Sequence, residues 1–431
     1  EKRPFFLENA GTFAVGSAQS VELFFSRRIG LQEGREVPIL GGGRVTGRAL
    51  GLNIGVLNIQ TRATDVYDPS EGVEVPLAPN QNFGAVRAFR EMGNRTRLGG
   101  IFVSRLNTDA LGSADEKDYN LTTGLDGRLG VGEYLTFDGF AAATETPGLS
   151  GDAFSYSLSA DYDSNLWRWG AAFSEVGDAF KPEVGFLSRS DYRFASLSLL
   201  RRVRFDDVDW FRELRPHVTY REFWNREGFT ETRLLHIDNH FEFSNGAFFQ
   251  LPAINFTEEG LTEPFEISDG VIIPAGTYNN VEWGFRANTD QSAPLSVEGR
   301  IDIGGFYSGT RYGTDATLSY RWQDRFVASG RVVYYDVNLD EGDFETTLLS
   351  LKGAYSFTPR IFLQGTLQYL EQTGNFTGNV RFGWLNTAGT GLYVVYNDVE
   401  HLRVRPSDEV PEGPLFRTLI VKFTRQFDLI R

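Results

Sequence analysis

The stretch Ala153-Phe154-Ser155-Tyr156-Ser157-Leu158-Ser159-Ala160-Asp161-Tyr162-Asp163 alternates apolar and polar residues along its whole length. Successive side chains of an extended chain point to opposite faces, so Phe154, Tyr156, Leu158, Ala160 and Tyr162 share one side, and the serines with Asp161 and Asp163 share the other. A greasy face opposite a hydrated one over about ten residues has the length and period of a tilted membrane strand.

The same split repeats away from this segment. In 280–288, Val281, Trp283, Phe285 and Ala287 oppose Asn280, Glu282, Arg286 and Asn288. In 295–303, Leu295, Val297, Ile301 and Ile303 oppose Ser296, Glu298, Arg300 and Asp302, and 312–322 and 361–369 behave alike. Reading every such segment predicts an all-β chain of about 22 strands, an even number, the first at 20–30. The expected architecture is a single transmembrane antiparallel up-and-down β-barrel over 20–431, with 1–19 as a periplasmic segment at the lumen mouth.

Turns support this. Leu50-Gly51, Ser164-Asn165, Asn245-Gly246, Gln323-Asp324 and Pro359-Arg360 are tight, whereas 31–42, 64–81, 108–118, 178–189, 259–278 and 402–413 are longer. Outer-membrane barrels have short periplasmic turns and longer extracellular loops. A soluble propeller or a string of sandwiches would show blade or domain periodicity and shorter strands. Gly41-Gly42-Gly43 is followed by no helical pattern and no Lys-Ser/Thr, so it reads as a turn rather than a phosphate loop.

Composition narrows the function classes. Forty-seven Gly, 36 Phe, 17 Tyr and 7 Trp against one Met favour β structure. No run of about 18 apolar residues exists, which excludes a helical span and leaves a closed barrel open. The absence of cysteine removes disulfides, thiolate metal sites and thiol nucleophiles together. A formal charge of −15 argues against nucleic acid, which needs a basic footprint. The opening at Glu1, without initiator Met, basic n-region or apolar h-region, sets the expectation of a longer polypeptide.

Histidine occurs only at 217, 236, 240 and 401. His236, Asp238, His240 and Glu242 lie two apart and so share the wet face of one predicted strand, opposite Leu235, Ile237, Phe241 and Phe243. A metal site or an Asp–His hydrolytic pair draws on such residues. Same-face neighbours on a single strand are too far apart for all four to hold one ion, however, and mixed charges are ordinary in a barrel lumen. No catalytic residue, metal site or cofactor is assigned. The wet faces also carry Asp126, Arg128, Arg168, Arg286, Glu298, Arg300, Asp302, Arg321, Lys352 and Arg381, which read equally as a lumen braced by ion pairs and as a path for polar solutes. Acidic stretches Asp65–Glu71, Asp115–Asp118 and Asp340–Asp343 read as solvated outer loops that could hold divalent cations.

Lys2-Arg3-Pro4-Phe5-Phe6-Leu7-Glu8, then Leu23-Phe24-Phe25-Ser26-Arg27-Arg28-Ile29-Gly30 and Arg44-Val45-Thr46-Gly47-Arg48, resemble an outer-membrane β-barrel family classed as a domain of unknown function. Asn82–Arg87 and Pro264–Tyr278 carry the likeness across nearly the whole chain. That family typically follows a periplasmic domain similar to carbohydrate-binding module family nine. The resemblance therefore implies a bacterial outer-membrane location, such an upstream domain and an indirect link to carbohydrate, but no catalytic residues. Arg3, Arg27 and Arg28 are expected to tie the N-terminal segment to the barrel mouth or wall.

The expected function is a non-enzymatic conduit for polar solutes, including saccharides, with membrane lipid, lipopolysaccharide and the upstream domain as partners. An anchor or scaffold for a periplasmic domain or partner complex is the alternative, and a hydrolase ranks last. Residues 1–19 read as too few to form a plug.

Overall fold

The computed structural model describes residues 4–7, 9–68, 72–109, 118–205, 207–387, 390–402 and 413–425. The chain is all-β and antiparallel, apart from a helical turn at Pro4–Leu7 and 3-10 turns at Ala10–Phe13 and Ser26–Arg28. No helix among the described residues is long and apolar enough to cross a membrane. The chain divides into two compact units, one of residues 1–199 with 220–232 and one of 200–219 with 233–431.

In the first unit, Ile39–Ala49, Leu52–Thr61, Gln81–Glu91, Arg97–Asn107, Tyr119–Val131, Leu135–Glu145, Phe154–Asp163 and Trp167–Val176 pair antiparallel in chain order. The strand that carries the alternating stretch pairs Tyr156 with Ala141 on one side and with Glu175 on the other. Leu50 and Gly51 both take positive φ (53° and 76°), the primed turn whose twist matches a tight hairpin. The triple glycine is no turn. It lies in the strand Ile39–Ala49, where a Cβ on Gly42 would stand 2.4 Å from the Asn58 carbonyl oxygen of the neighbouring strand.

The expected strand 20–30 is not part of this sheet. Val21–Glu22 instead joins Gly16–Ser17 and Phe186–Leu187 in a small three-stranded sheet, and Ser26–Arg28 is a 3-10 turn. The expected tally of strands thereby loses its first member.

The reason is hydrophobic. Phe6, Phe13, Val15, Val21, Leu23 and Ile29 form one core with Leu57, Ile59, Phe83, Ala85, Ile101, Val103, Phe140 and Ala142, which come from four strands of the sheet. Leu23 and Ile29 are fully buried there, and burial of each contributes about 1.5–3 kcal/mol. Gly55 and Gly124 admit this packing, because a Cβ on either would collide with Phe13 and Thr12 or with Leu23. A segment expected to be too short to plug anything thus packs against several strands of the sheet.

The expected outer loop 178–189 joins the same packing. Val184 accepts from the Phe25 amide at 2.7 Å, Ser20 accepts from the Ser188 amide at 3.0 Å, and Phe180 and Val184 are buried.

In the second unit, Phe248–Leu261, Gly276–Asn288, Leu295–Phe306, Gly309–Trp322, Phe326–Leu339, Gly342–Thr358, Ile361–Leu370, Asn375–Thr387, Thr390–His401 and Gly413–Thr424 pair antiparallel in chain order. The expected loop 259–278 contributes a small hairpin, Phe265–Ser268 with Val271–Ile273, and 64–81 in the first unit contributes another, Thr64–Asp68 with Val73–Ala78. Asp340-Glu341 is a two-residue turn rather than a loop, and Ser308 donates to Glu341. Asp115–Lys117, Pro69–Glu71 and 403–412 lie outside the described residues.

Candidate functional site

Each strand of the second unit keeps the two faces that its alternation dictates. Leu295, Val297, Ile301 and Ile303 are exposed, as are Leu318, Tyr320 and Trp322 on the adjoining strand and Val332 on the next. Cross-strand register puts Leu295 against Tyr320 and Val297 against Leu318, so the apolar stripes merge into one continuous exposed face. Water-soluble monomers rarely expose apolar patches beyond a few hundred Å², and this one runs from strand to strand.

Aromatic rings gather at the end where the turns are short. In the first unit, beside the turns at 132–134 and 164–166, Tyr162 meets Tyr134 edge-on and stacks on Trp169, with centroids 5.9 and 5.6 Å apart. In the second unit Tyr320, Phe326, Tyr355 and Phe357 form a chain beside the turns at 323–325 and 359–360, and Trp210, Phe211 and Phe243 form another. Rings with one greasy and one wet neighbour collect in this way at a membrane–water boundary. Sequence reasoning counted these aromatics only as β formers, although their recurrence next to the tight turns was visible.

The opposite face of the second unit holds charge in pairs. Arg331 grips Asp315 through two bonds (Nε to Oδ1 2.8 Å, Nη2 to Oδ2 2.5 Å). Arg286 donates to Glu298 at 2.8 Å, Arg300 to Asp302 at 2.6 Å, and Arg311 to Glu282. Bidentate guanidinium–carboxylate geometry fixes both side chains. Arg286, Glu298, Arg300, Asp315, Thr317 and Arg331 together line a polar recess of about 340 Å³. Of the expected wet-face residues, Arg381 stacks over the Tyr393 ring at 4.5 Å, whereas Arg321 and Lys352 are exposed.

The first unit handles charge differently. Arg87, 1% exposed, lies 2.6 Å from Asp126, with Arg97 at 3.4 Å from the same carboxylate. A Cβ at Gly99 would lie 2.5 Å from Arg87 Nη1, so the glycine makes room for the guanidinium. Ala14, Val15, Gly16 and Ser17 of the N-terminal segment cap this group and leave a recess of only about 100 Å³. Arg128 pairs with Asp138 at 2.6 Å.

Of the N-terminal residues singled out by resemblance, Phe6 is buried, Phe5 lies under Arg44 at 5.3 Å, and Arg28 donates to the Gly185 carbonyl at 3.2 Å. Arg27 is exposed. Arg3, Glu8 and the Pro4 side chain lie outside the description. The loop that carries Gly185 is also held to the sheet, through Asn120 to the Lys181 carbonyl at 2.7 Å and Arg105 to Glu183 at 2.5 Å.

The strand Thr230–Phe243 brings His236, Asp238, His240 and Glu242 to one face, as its alternation requires. His217, from Phe211–Asn225, joins them: its Nδ1 is 2.5 Å from Asp238 Oδ1. Sequence reasoning missed His217 as a partner, because its distance along the chain says nothing about register. One carboxylate therefore stands among three imidazoles.

Away from the long strands, Asp178 on the 177–191 loop accepts from the Asp152 amide at 2.8 Å, and Arg226 pairs with both aspartates. The Asp152 amide above all, with Arg226 assisting, holds the Asp178 carboxyl below the usual range. No protein-family model matches the chain, and no curated protein matches it.

Proposed function

We propose that the two units are halves of one closed transmembrane barrel in a bacterial outer membrane, and that it passes polar solutes through a lumen narrowed by its own N-terminal segment. The observation that carries this reading is the division of labour between faces. One face is continuously apolar, exposed and bordered by aromatic rings, and the other carries paired charges.

A face of that kind suits lipid. Lipid in turn tolerates no unpaired sheet edge, so a sheet immersed in it must close on itself. The strands Phe211–Asn225 and Thr230–Phe243 each contribute residues to both units, which suits a single continuous wall. A ring of this many strands encloses more space than its own side chains fill.

Solute class follows from the lining. Arginine and carboxylate pairs offer donors and acceptors of both kinds with little unbalanced charge, which suits neutral hydroxylated solutes such as saccharides better than ions of one sign. The N-terminal segment and the 178–189 loop supply the constriction.

Conductance in planar bilayers is the test. The intact chain gives small or intermittent conductance, removal of the segment through residue 30 gives a large stable one, and oligosaccharides reduce it. A folded barrel that stays silent in both forms refutes the conduit. The tightness of the buried segment favours a second reading, a sealed anchor for a periplasmic domain or partner, and that silence is what it requires.

A further inference from the structure

We propose that His217, Asp238 and His240 form a binding site for one divalent transition-metal cation of the zinc type. The proposal rests on side chains of the second unit alone and not on the conduit reading.

Three of the four histidines in the chain converge on one carboxylate. The Asp238 side chain is wholly buried, with His217 Nδ1 2.5 Å from Oδ1 and His236 Nε2 and His240 Nε2 at 3.0 and 3.2 Å from Oδ2. Gln250 donates to Oδ2 as well. Oδ1 meets His217 Nδ1 directly, and that nitrogen also lies 3.2 Å from the Arg215 carbonyl oxygen. A buried carboxylate oxygen set against an imidazole nitrogen brings two potential metal-ligand atoms face to face.

The ligand atoms of His217, Asp238 and His240 all lie within 4.8 Å of one another. A tetrahedral cation at about 2.0–2.2 Å from nitrogen and oxygen ligands holds them roughly 3.3 Å apart, so small side-chain rotations suffice. Two neutral imidazoles and a carboxylate leave the fourth position open. Imidazole selects zinc, copper and nickel over calcium and magnesium, which require oxygen-rich shells.

The surroundings hold the set in place. His236 bridges Asp238 and Asn255, its Nδ1 2.6 Å from Asn255 Oδ1, and so orients the carboxylate from behind. Phe248 packs beside the His240 ring at 5.6 Å. Glu242, 3.9 Å from His240 Nδ1, is engaged by Arg215, which also holds Glu213. Arg215 is thereby occupied by two carboxylates, leaving the imidazole side of Asp238 to a cation. Entry of the metal replaces imidazole N–H protons that now face Asp238, and those protons leave to solvent.

The experiment is equilibrium dialysis of the full detergent-solubilised chain against zinc ions, followed by elemental analysis. The expected result is one zinc per chain, retained against a large excess of magnesium and calcium and lost in the His217→Ala/His240→Ala variant. His401→Ala, a change at the remaining histidine, keeps it. Cobalt bound to the unaltered chain gives the intense visible absorption of a tetrahedral nitrogen–oxygen site. Absence of stoichiometric zinc and of that absorption in the unaltered chain overturns the proposal whether or not the variants fold, and so does equal binding by the double variant. Conductance plays no part in this readout, so its outcome is separate from that of the conduit.

Discussion

Leu23→Ala weakens the hold of the N-terminal segment without touching the sheet. The Leu23 side chain is fully buried in a core with Val15, Ile101 and Phe140, and its Cδ1 occupies the space that a Cβ on Gly124 would need. Truncating a buried leucine costs about 2–5 kcal/mol, through lost transfer energy and the cavity left behind. The loss falls on docking of the segment, since the sheet strands keep their ladders in either state. At the lower end, about 2 kcal/mol raises the undocked population roughly 30-fold. The chain has no cysteine, so a single reporter can be introduced cleanly. Val15→Cys places a thiol in the covered core, where it reacts with a maleimide only when the segment leaves. The labelling rate of Val15→Cys/Leu23→Ala is expected to exceed that of Val15→Cys by about 30-fold or more. Equal rates in two folded proteins would refute the inference that this core holds the segment in place.

Three further outcomes are expected. Asp126→Ala strands the buried Arg87 guanidinium and lowers unfolding stability by about 3–5 kcal/mol, whereas Arg87→Met/Asp126→Leu recovers most of it; denaturant midpoints of the two variants decide the matter. Asp178 has a lowered carboxyl pKa, so its contribution is present above the ordinary carboxylate range and disappears as pH falls through the lowered value. The melting temperature of Asp178→Asn should accordingly lie below that of the parent near neutrality and meet it in strong acid. Gly51→Val forces a branched residue into the left-handed region at φ 76° and costs about 1–2 kcal/mol, measured again as a denaturant midpoint, while Gly51→Asn costs less.

The alternation that runs through 153–163, 280–288 and 295–303 was legible because a strand writes its two faces into every second residue. Tight turns such as Leu50-Gly51 were legible for a similar reason, as their backbone demands are local. What the faces touch is not local. Ile101-Phe102-Val103 and Val56-Leu57 are apolar on both sides; Leu57, Ile101 and Val103 are buried while Val56 and Phe102 are exposed, and nothing nearby in the chain names what covers the buried side. The cover proved to be Phe6, Phe13, Val15, Val21, Leu23 and Ile29, in a segment read partly as a strand at 20–30, with the 178–189 loop against it.

His236, Asp238, His240 and Glu242 were placed on one face by period alone, and His217 reached them only through the packing of a neighbouring strand. The same holds for Arg87 with Asp126, and for Arg331 with Asp315. By itself the sequence determined most of the long strands and which way their side chains face, because those depend on neighbours one or two positions away. Only the tertiary structure decided which carboxylate meets which cation and which segment covers which face, because register and docking join residues that the chain keeps tens of positions apart.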